Sequence, residues 1–258
     1  MSCPPLPPEI LDYIVDSLCD DPEALRNSCL VAKSWVPRTR KHLFRNIKFT
    51  LRKNLESWKK TFPDPSNSPA YYTHVLSVKC PQVVTAADAG KGGWIQAFSR
   101  VVRLSLDNPD DPKVSLAPFY GFSPVLKSLR VSSTLPQISH IFNFARSFPL
   151  LEDLALIGYD ILSDNGNDLH VPQPNMTLAS PAFTGSLELM VLGGIGIAAR
   201  RLLDLPSGLH FRKFALLWLR EEDVRWTTEL VARCSHTLEC IGVMHHLPST
   251  LALVELDL

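Results

Sequence analysis

Along this chain the apolar residues recur as a triplet at positions x, x+3 and x+5. The instances are Phe44/Ile47/Phe49, Thr73/Leu76/Val78, Val101/Leu104/Leu106, Leu126/Leu129/Val131, Leu151/Leu154/Leu156, Leu187/Met190/Leu192, Phe211/Phe214/Leu216 and Leu238/Ile241/Val243. The central members are separated by 29, 28, 25, 25, 36, 24 and 27 residues, so one structural unit is repeated. The last two members of each triplet lie two apart and point the same way from a short strand, while the first marks the turn that leads into it.

Between the strands the period changes from two to that of a helix. In Pro136 to Phe148 the residues Ile138, Ile141, Phe142, Ala145 and Phe148 share a face, with Thr134 as a cap and Pro136 near the first turn. Glu221 to Cys234 repeats the arrangement, with acidic residues at its start and Val224, Thr227, Val231 and Cys234 on one side. Two segments interrupt the rhythm. Gly158 to Thr184, rich in Asn, Asp, Pro and Ser, predicts a loop at the rim, and Phe62 to Ala70 predicts a linker-like turn. Stacked strand-helix units imply an α/β fold: a curved solenoid with a parallel sheet on one side and helices on the convex side.

The first 49 residues have a different pattern. Pro7 and Pro8 suit the first turn of a helix whose stripe is Ile10, Leu11, Ile14, Val15 and Leu18. Asp20 or Asp21 can cap a second helix, opened by Pro22 and Glu23, with Leu25, Cys29, Leu30 and Ala32 inward. Ser34 can cap a third that holds Pro37 in its first turn. Arg38, Arg40, Lys41 and Arg45 gather towards its end, where the helix dipole favours cations. Three short helices bury little surface, so a module over residues 5–49 is expected to lean on a neighbour or a partner.

Composition narrows the function classes. The 26 basic and 26 acidic residues cancel, which argues against nucleic-acid or membrane-surface partners. No apolar run reaches the roughly 20 residues of a membrane span, and the proline-rich start does not resemble a signal peptide. A cytoplasmic or nuclear protein is expected, with its six cysteines as free and mostly buried thiols. The glycosylation-like Asn175-Met176-Thr177 carries no weight without a secretory route.

Leu6-Pro7-Pro8-Glu9-Ile10, then Ile14 and Leu18, Leu30-Val31-Ala32-Lys33-Ser34-Trp35 and Leu43-Phe44-Arg45 resemble an F-box. The sequence departs from fuller members of that family where Val36 and Pro37 follow Trp35. The resemblance implies docking on the Skp-type adaptor of a cullin-RING ubiquitin ligase, with Leu6, Pro7, Pro8, Ile10, Ile14 and Leu30 facing or supporting the adaptor. Trp35 would pack at the module's centre. The repeats, over residues 44–258, resemble the irregular leucine-rich regions of fungal F-box proteins. A non-catalytic substrate-recognition adaptor is therefore implied, and a non-ligase interaction scaffold is the alternative. The sharing of Phe44, Ile47 and Phe49 between module and repeats predicts a common core without a flexible linker.

In such a sheet the residues beside the inward pairs form the target-binding concave face. These are Lys79, Arg103, Asp107 and Arg130 early in the array and Ile157, Leu189, Val191, Leu217 and Met244 later, a change from polar to apolar. An apolar surface of that size binds a partner or is covered, and Leu247 to Leu258 is one candidate cover. That ending lacks a polar capping helix, which suggests a shortened chain. Cys234, His236, Cys240, His245 and His246 offer zinc-ligand types in a spacing that fits no usual zinc motif. Gly193-Gly194-Ile195-Gly196 lacks the lysine and order of a phosphate loop and reads as a turn. No catalytic residue, metal or cofactor is expected.

Overall fold

The computed structural model describes residues 7–79, 84, 93–108, 116–120, 122–133, 138–158, 181, 183–191, 194–205, 208–245 and 253–257. Leu6, Thr134, Pro136, Leu192, the Asn175 sequon and most of the 158–184 insertion lie outside them, as do Cys3, Cys80 and His246.

The chain is α/β. Among the described residues nine strands form one sheet in chain order: β1 (Asn46–Phe49), β2 (Val75–Lys79), β3 (Arg103–Asn108), β4 (Ser128–Ser133), β5 (Asp153–Gly158), β6 (Ser186–Val191), β7 (Lys213–Leu219), β8 (Cys240–His245) and β9 (Leu253–Asp257). The first eight are parallel, and β9 pairs antiparallel with β8. Parallel neighbours need crossovers. Several of these hold helices: α4 (Arg52–Thr61), α5 (Ile138–Ala145), α6 (Ile195–Leu203) and α7 (Val224–Cys234), while α1 (Pro8–Ser17), α2 (Pro22–Val31) and α3 (Val36–Leu43) precede β1.

Two inward rows run unbroken across the parallel sheet. Ile47, Leu76, Leu104, Leu129, Leu154, Leu187, Phe214 and Ile241 stand side by side, and so do Phe49, Val78, Leu106, Val131, Leu156, Leu189, Leu216 and Val243. Seven of the eight triplets are thus in register. The sixth is not: its inward residues are Leu187, Leu189 and Val191, all buried, instead of Met190 and Leu192. Because strand side chains alternate, this odd-numbered shift exchanges the two faces. The lead-in residue of that repeat is Phe183, held at φ 42° with its N–H on the Leu151 carbonyl. Thr184 occupies the position the triplet would give to an apolar residue, so the pattern breaks there.

The turn before each strand is the same device repeated. The carbonyl of Arg45 accepts from the N–H groups of His74 and Val75, that of His74 from Val102 and Arg103, that of Val102 from Lys127 and Ser128, and that of Lys127 from Glu152 and Asp153. After the insertion the pattern resumes, with the Gly185 carbonyl accepting from Arg212 and Lys213 and the Arg212 carbonyl from Glu239 and Cys240. Hydroxyls add to it: Thr73 Oγ1, Ser123 Oγ and Thr237 Oγ1 donate to the carbonyls of Phe44, Val101 and Phe211. At the rejoining point Asp153 Oδ1 accepts from both the N–H and the Oγ of Ser186, and a Cβ at Gly185 would collide with that carboxylate.

The core lies between the inward rows and the helices. Edge-to-face aromatics fill it, including Phe49 with Trp58 and Phe98 near one end and Phe122 and Phe144 with Phe148 in the middle. Ile141, Phe142, Ala145 and Phe148 are inward as the α5 pattern predicts, and Phe144 is buried as well. In α7, Thr227, Leu230 and Cys234 are buried, whereas Val224, expected inward, is exposed. Helix α4 has no counterpart in the sequence reading: only Leu55 on it is buried, with Trp58 packed against the core. The segment read as a linker, Phe62 to Ala70, instead packs through two 3-10 turns with Pro69 and Ala70 buried.

Candidate functional site

The helical module is assembled by caps and charges more than by apolar contact. Asp21, of the two candidates, caps α2, accepting from the N–H groups of Glu23 at 3.0 Å and Ala24 at 2.9 Å. The expected Ser34 cap is not formed, because the 3-10 turn Lys33–Trp35 runs directly into α3. Helices α1 and α3 are clasped through Asp16. Arg38 donates to it through Nε at 2.6 Å and through Nη2, and His42 Nε2 lies 2.7 Å from Oδ1. These bonds, Arg38 first and His42 second, hold the Asp16 carboxyl well below the usual carboxylate range.

Among the described residues of the three helices, only Val15, Leu25, Ser28 and Thr39 are buried. The continuous core of the sheet does not include Val15 and Leu25. The expected common core is therefore a join: Phe44, just after α3, sets its ring edge-on against Trp58 and Phe62. Helix α3 reaches β1 through Phe44 and Arg45 alone, so no flexible linker intervenes.

The module also leaves several large apolar side chains outside. Leu30, expected on the inward side of α2, is 85 % exposed, and Val31 is also exposed. On α1, Ile10 is 47 % and Tyr13 75 % exposed. Ser28 takes the inward position instead, its hydroxyl satisfied by the Ala24 carbonyl. Pro7 and Pro8 are exposed, Ile14 is half-buried, and Trp35 is half-buried where a central position was expected.

The second surface is the sheet face opposite the helices. Lys79, Asp107, Ser132, Ile157, Met190, Leu217 and Met244 form one outer row across it. Arg130 stands in the row beside it and pairs with Glu188 at 3.4 Å, while Arg103 begins β3 near the sheet's edge. Leu189 and Val191 do not belong to this face: both are wholly buried against the helices, and Glu188 and Met190 replace them. The polar-to-apolar change is accordingly confined to one row, over β5 to β8. Ile157 within it is only 4 % exposed. The C-terminal residues Leu253–Asp257, expected as a possible cover, extend the sheet as β9.

The remaining candidates disperse. Among the described residues no three His, Cys, Asp or Glu side chains gather as a metal site. Cys234 is buried among the helices, where burial pushes its thiol up, whereas Cys240 stands on β8 in register with Lys213. Cys19 is exposed and Cys29 half-buried, so of the described cysteines only Cys234 fits the expectation of burial. Of the stretch read as a turn, Gly193 lies outside the described residues, Gly194 is the residue before α6, and Gly196 lies inside that helix, its N–H donating to Asp223 Oδ1 at 2.7 Å. Asp223 is 5 % exposed and also takes the Arg220 N–H, so this overlooked carboxylate fastens α6 to the start of α7. Among the described residues no helix is long and apolar enough to cross a membrane. The chain matches no protein-family model and no curated protein.

Proposed function

We propose that this chain is a non-catalytic substrate-recognition adaptor of a cullin-RING ubiquitin ligase, acting in the cytoplasm or nucleus. On this reading residues 5–49 are an F-box that docks on a Skp-type adaptor. Residues 44–258 are an irregular leucine-rich-repeat solenoid whose open face holds a protein target.

The observation that carries the reading is the exposure of Leu30, with Ile10 and Tyr13, on short helices whose own interior is nearly empty of large apolar side chains. These are the apolar side chains the module would offer an adaptor. The direct passage from α3 to β1 supports it further, since a ligase adaptor contributes by fixing the distance between two bound proteins. On the open face, Lys79, Arg103, Asp107 and Arg130 would set polar specificity, and Ile157, Met190, Leu217 and Met244 would supply apolar area.

Co-purification of a Skp-type adaptor with the full chain tests the proposal. The wild type should retain the adaptor and an Ile10→Asp/Leu30→Asp variant of unchanged thermal stability should lose it. Equal recovery by both, or recovery by neither, would overturn it.

A further inference from the structure

The helical module and the sheet meet along a groove of about 500 Å3 that follows the starts of β1 to β5. Its wall on the sheet side carries Arg45, His74, Arg103 and Lys127, one from each of the first four strand starts, and its module side carries Asp20 and His42. The lead-in turns bring them together: Arg45, His74 and Lys127 each lie immediately before a strand, and Arg103 is the first residue of its own.

The charges in the groove are not equally free. Lys127 is bound to Glu152 at 2.7 Å, and Asp153 is occupied by Ser186. His42 belongs to the Asp16 clasp. Arg45 and Arg103 are exposed and, among the described residues, have no acidic partner. The field between them is positive: His74 is pushed below its ordinary value by partial burial first, and then by Arg45, Arg100 and Lys41. Asp20, at the module end, is the exposed acid that would repel an anion there.

We infer that this groove binds an acidic linear segment of a protein partner, with Arg45 and Arg103 holding successive carboxylates or phosphates. Five strand starts at about 4.8 Å spacing span about 19 Å, the length of about six extended residues. Arg45 and Arg103 start from alternate strands, rows about 10 Å apart, and their long side chains can reach same-face groups two or four residues apart on such a segment, about 7 or 13 Å. The inference concerns residues outside the proposed adaptor-docking surface, and its test uses no adaptor, so either reading can fail without the other.

The test is fluorescence anisotropy of the full chain at low salt with two labelled peptides, hexaglutamate and a hexapeptide carrying two phosphoserines. Binding of both, weakened at least tenfold in R45Q/R103Q, supports the inference with carboxylates sufficient. Binding of the phosphorylated peptide alone, with the same loss, supports it with phosphate as the required group. The control K53Q/K60Q, on exposed positions of α4, should bind as the wild type does. The inference is overturned if neither peptide binds, if R45Q/R103Q binds unchanged, if the control loses as much, or if a ten-nucleotide RNA binds more tightly than both peptides.

Discussion

The helical module and the sheet solve the same problem of holding short elements together by opposite means. In the sheet every parallel strand shares two apolar rows and a hydrogen-bonded lead-in turn with its neighbours, so each repeat is fixed by the last. In the module the buried set is small, and the helices are tied by a cap and by Asp16 reaching across to Arg38 and His42. The lesson is where tolerance lies. A sheet residue is constrained by its row, whereas much of the module's apolar surface is free to meet a partner.

Substitutions can break that contrast. Leu187→Ala removes a wholly buried member of the first row and should cost about 3 kcal/mol in urea unfolding, the usual range for a buried leucine. A cost below about 1 kcal/mol would place the sixth repeat in the other register. Asp223→Ala strips acceptors from the N–H groups of Gly196 and Arg220 and should cost about 2 kcal/mol, measured the same way.

The module should respond more weakly. Asp16→Asn, at a partly exposed clasp, should cost about 1 kcal/mol, with faster amide exchange in α1 and none of the sheet's ladder affected. The folded carboxyl titrates below its unfolded counterpart, so the clasp's contribution is full above the ordinary carboxylate range and fades as pH falls through the depressed value. Acid titration followed by α1 exchange should show wild type and variant converging at low pH. Leu30→Asp should change stability by less than about 0.5 kcal/mol while abolishing adaptor recovery, because the side chain is already in water.

The sheet was legible in the sequence because residues two apart must face the same side, and seven of the eight triplets lie in the register that rule predicts. Repeat six failed for a physical reason. Met190 and Leu192 satisfy the template about as well as Leu187 and Leu189 do, and only pairing with Leu154 and Leu156 decides between them. Helix α4 was hidden because Leu55 and Trp58 alone serve the core, too few for an apolar stripe. Leu30 was misplaced because a buried serine can take an inward position when its hydroxyl bonds to its own helix. The groove escaped notice because its residues are dispersed from Cys19 to Asp153 and meet only once the strands are side by side.

The stitch at Asp153, Gly185 and Ser186 has a consequence for how this architecture varies. Ladder spacing on either side of it is set by the carboxylate and the lead-in carbonyls, and the length of the chain between Gly158 and Phe183 does not enter that register. The position is in effect a graft point. Loops of other lengths and sequences inserted there should leave the eight rungs aligned.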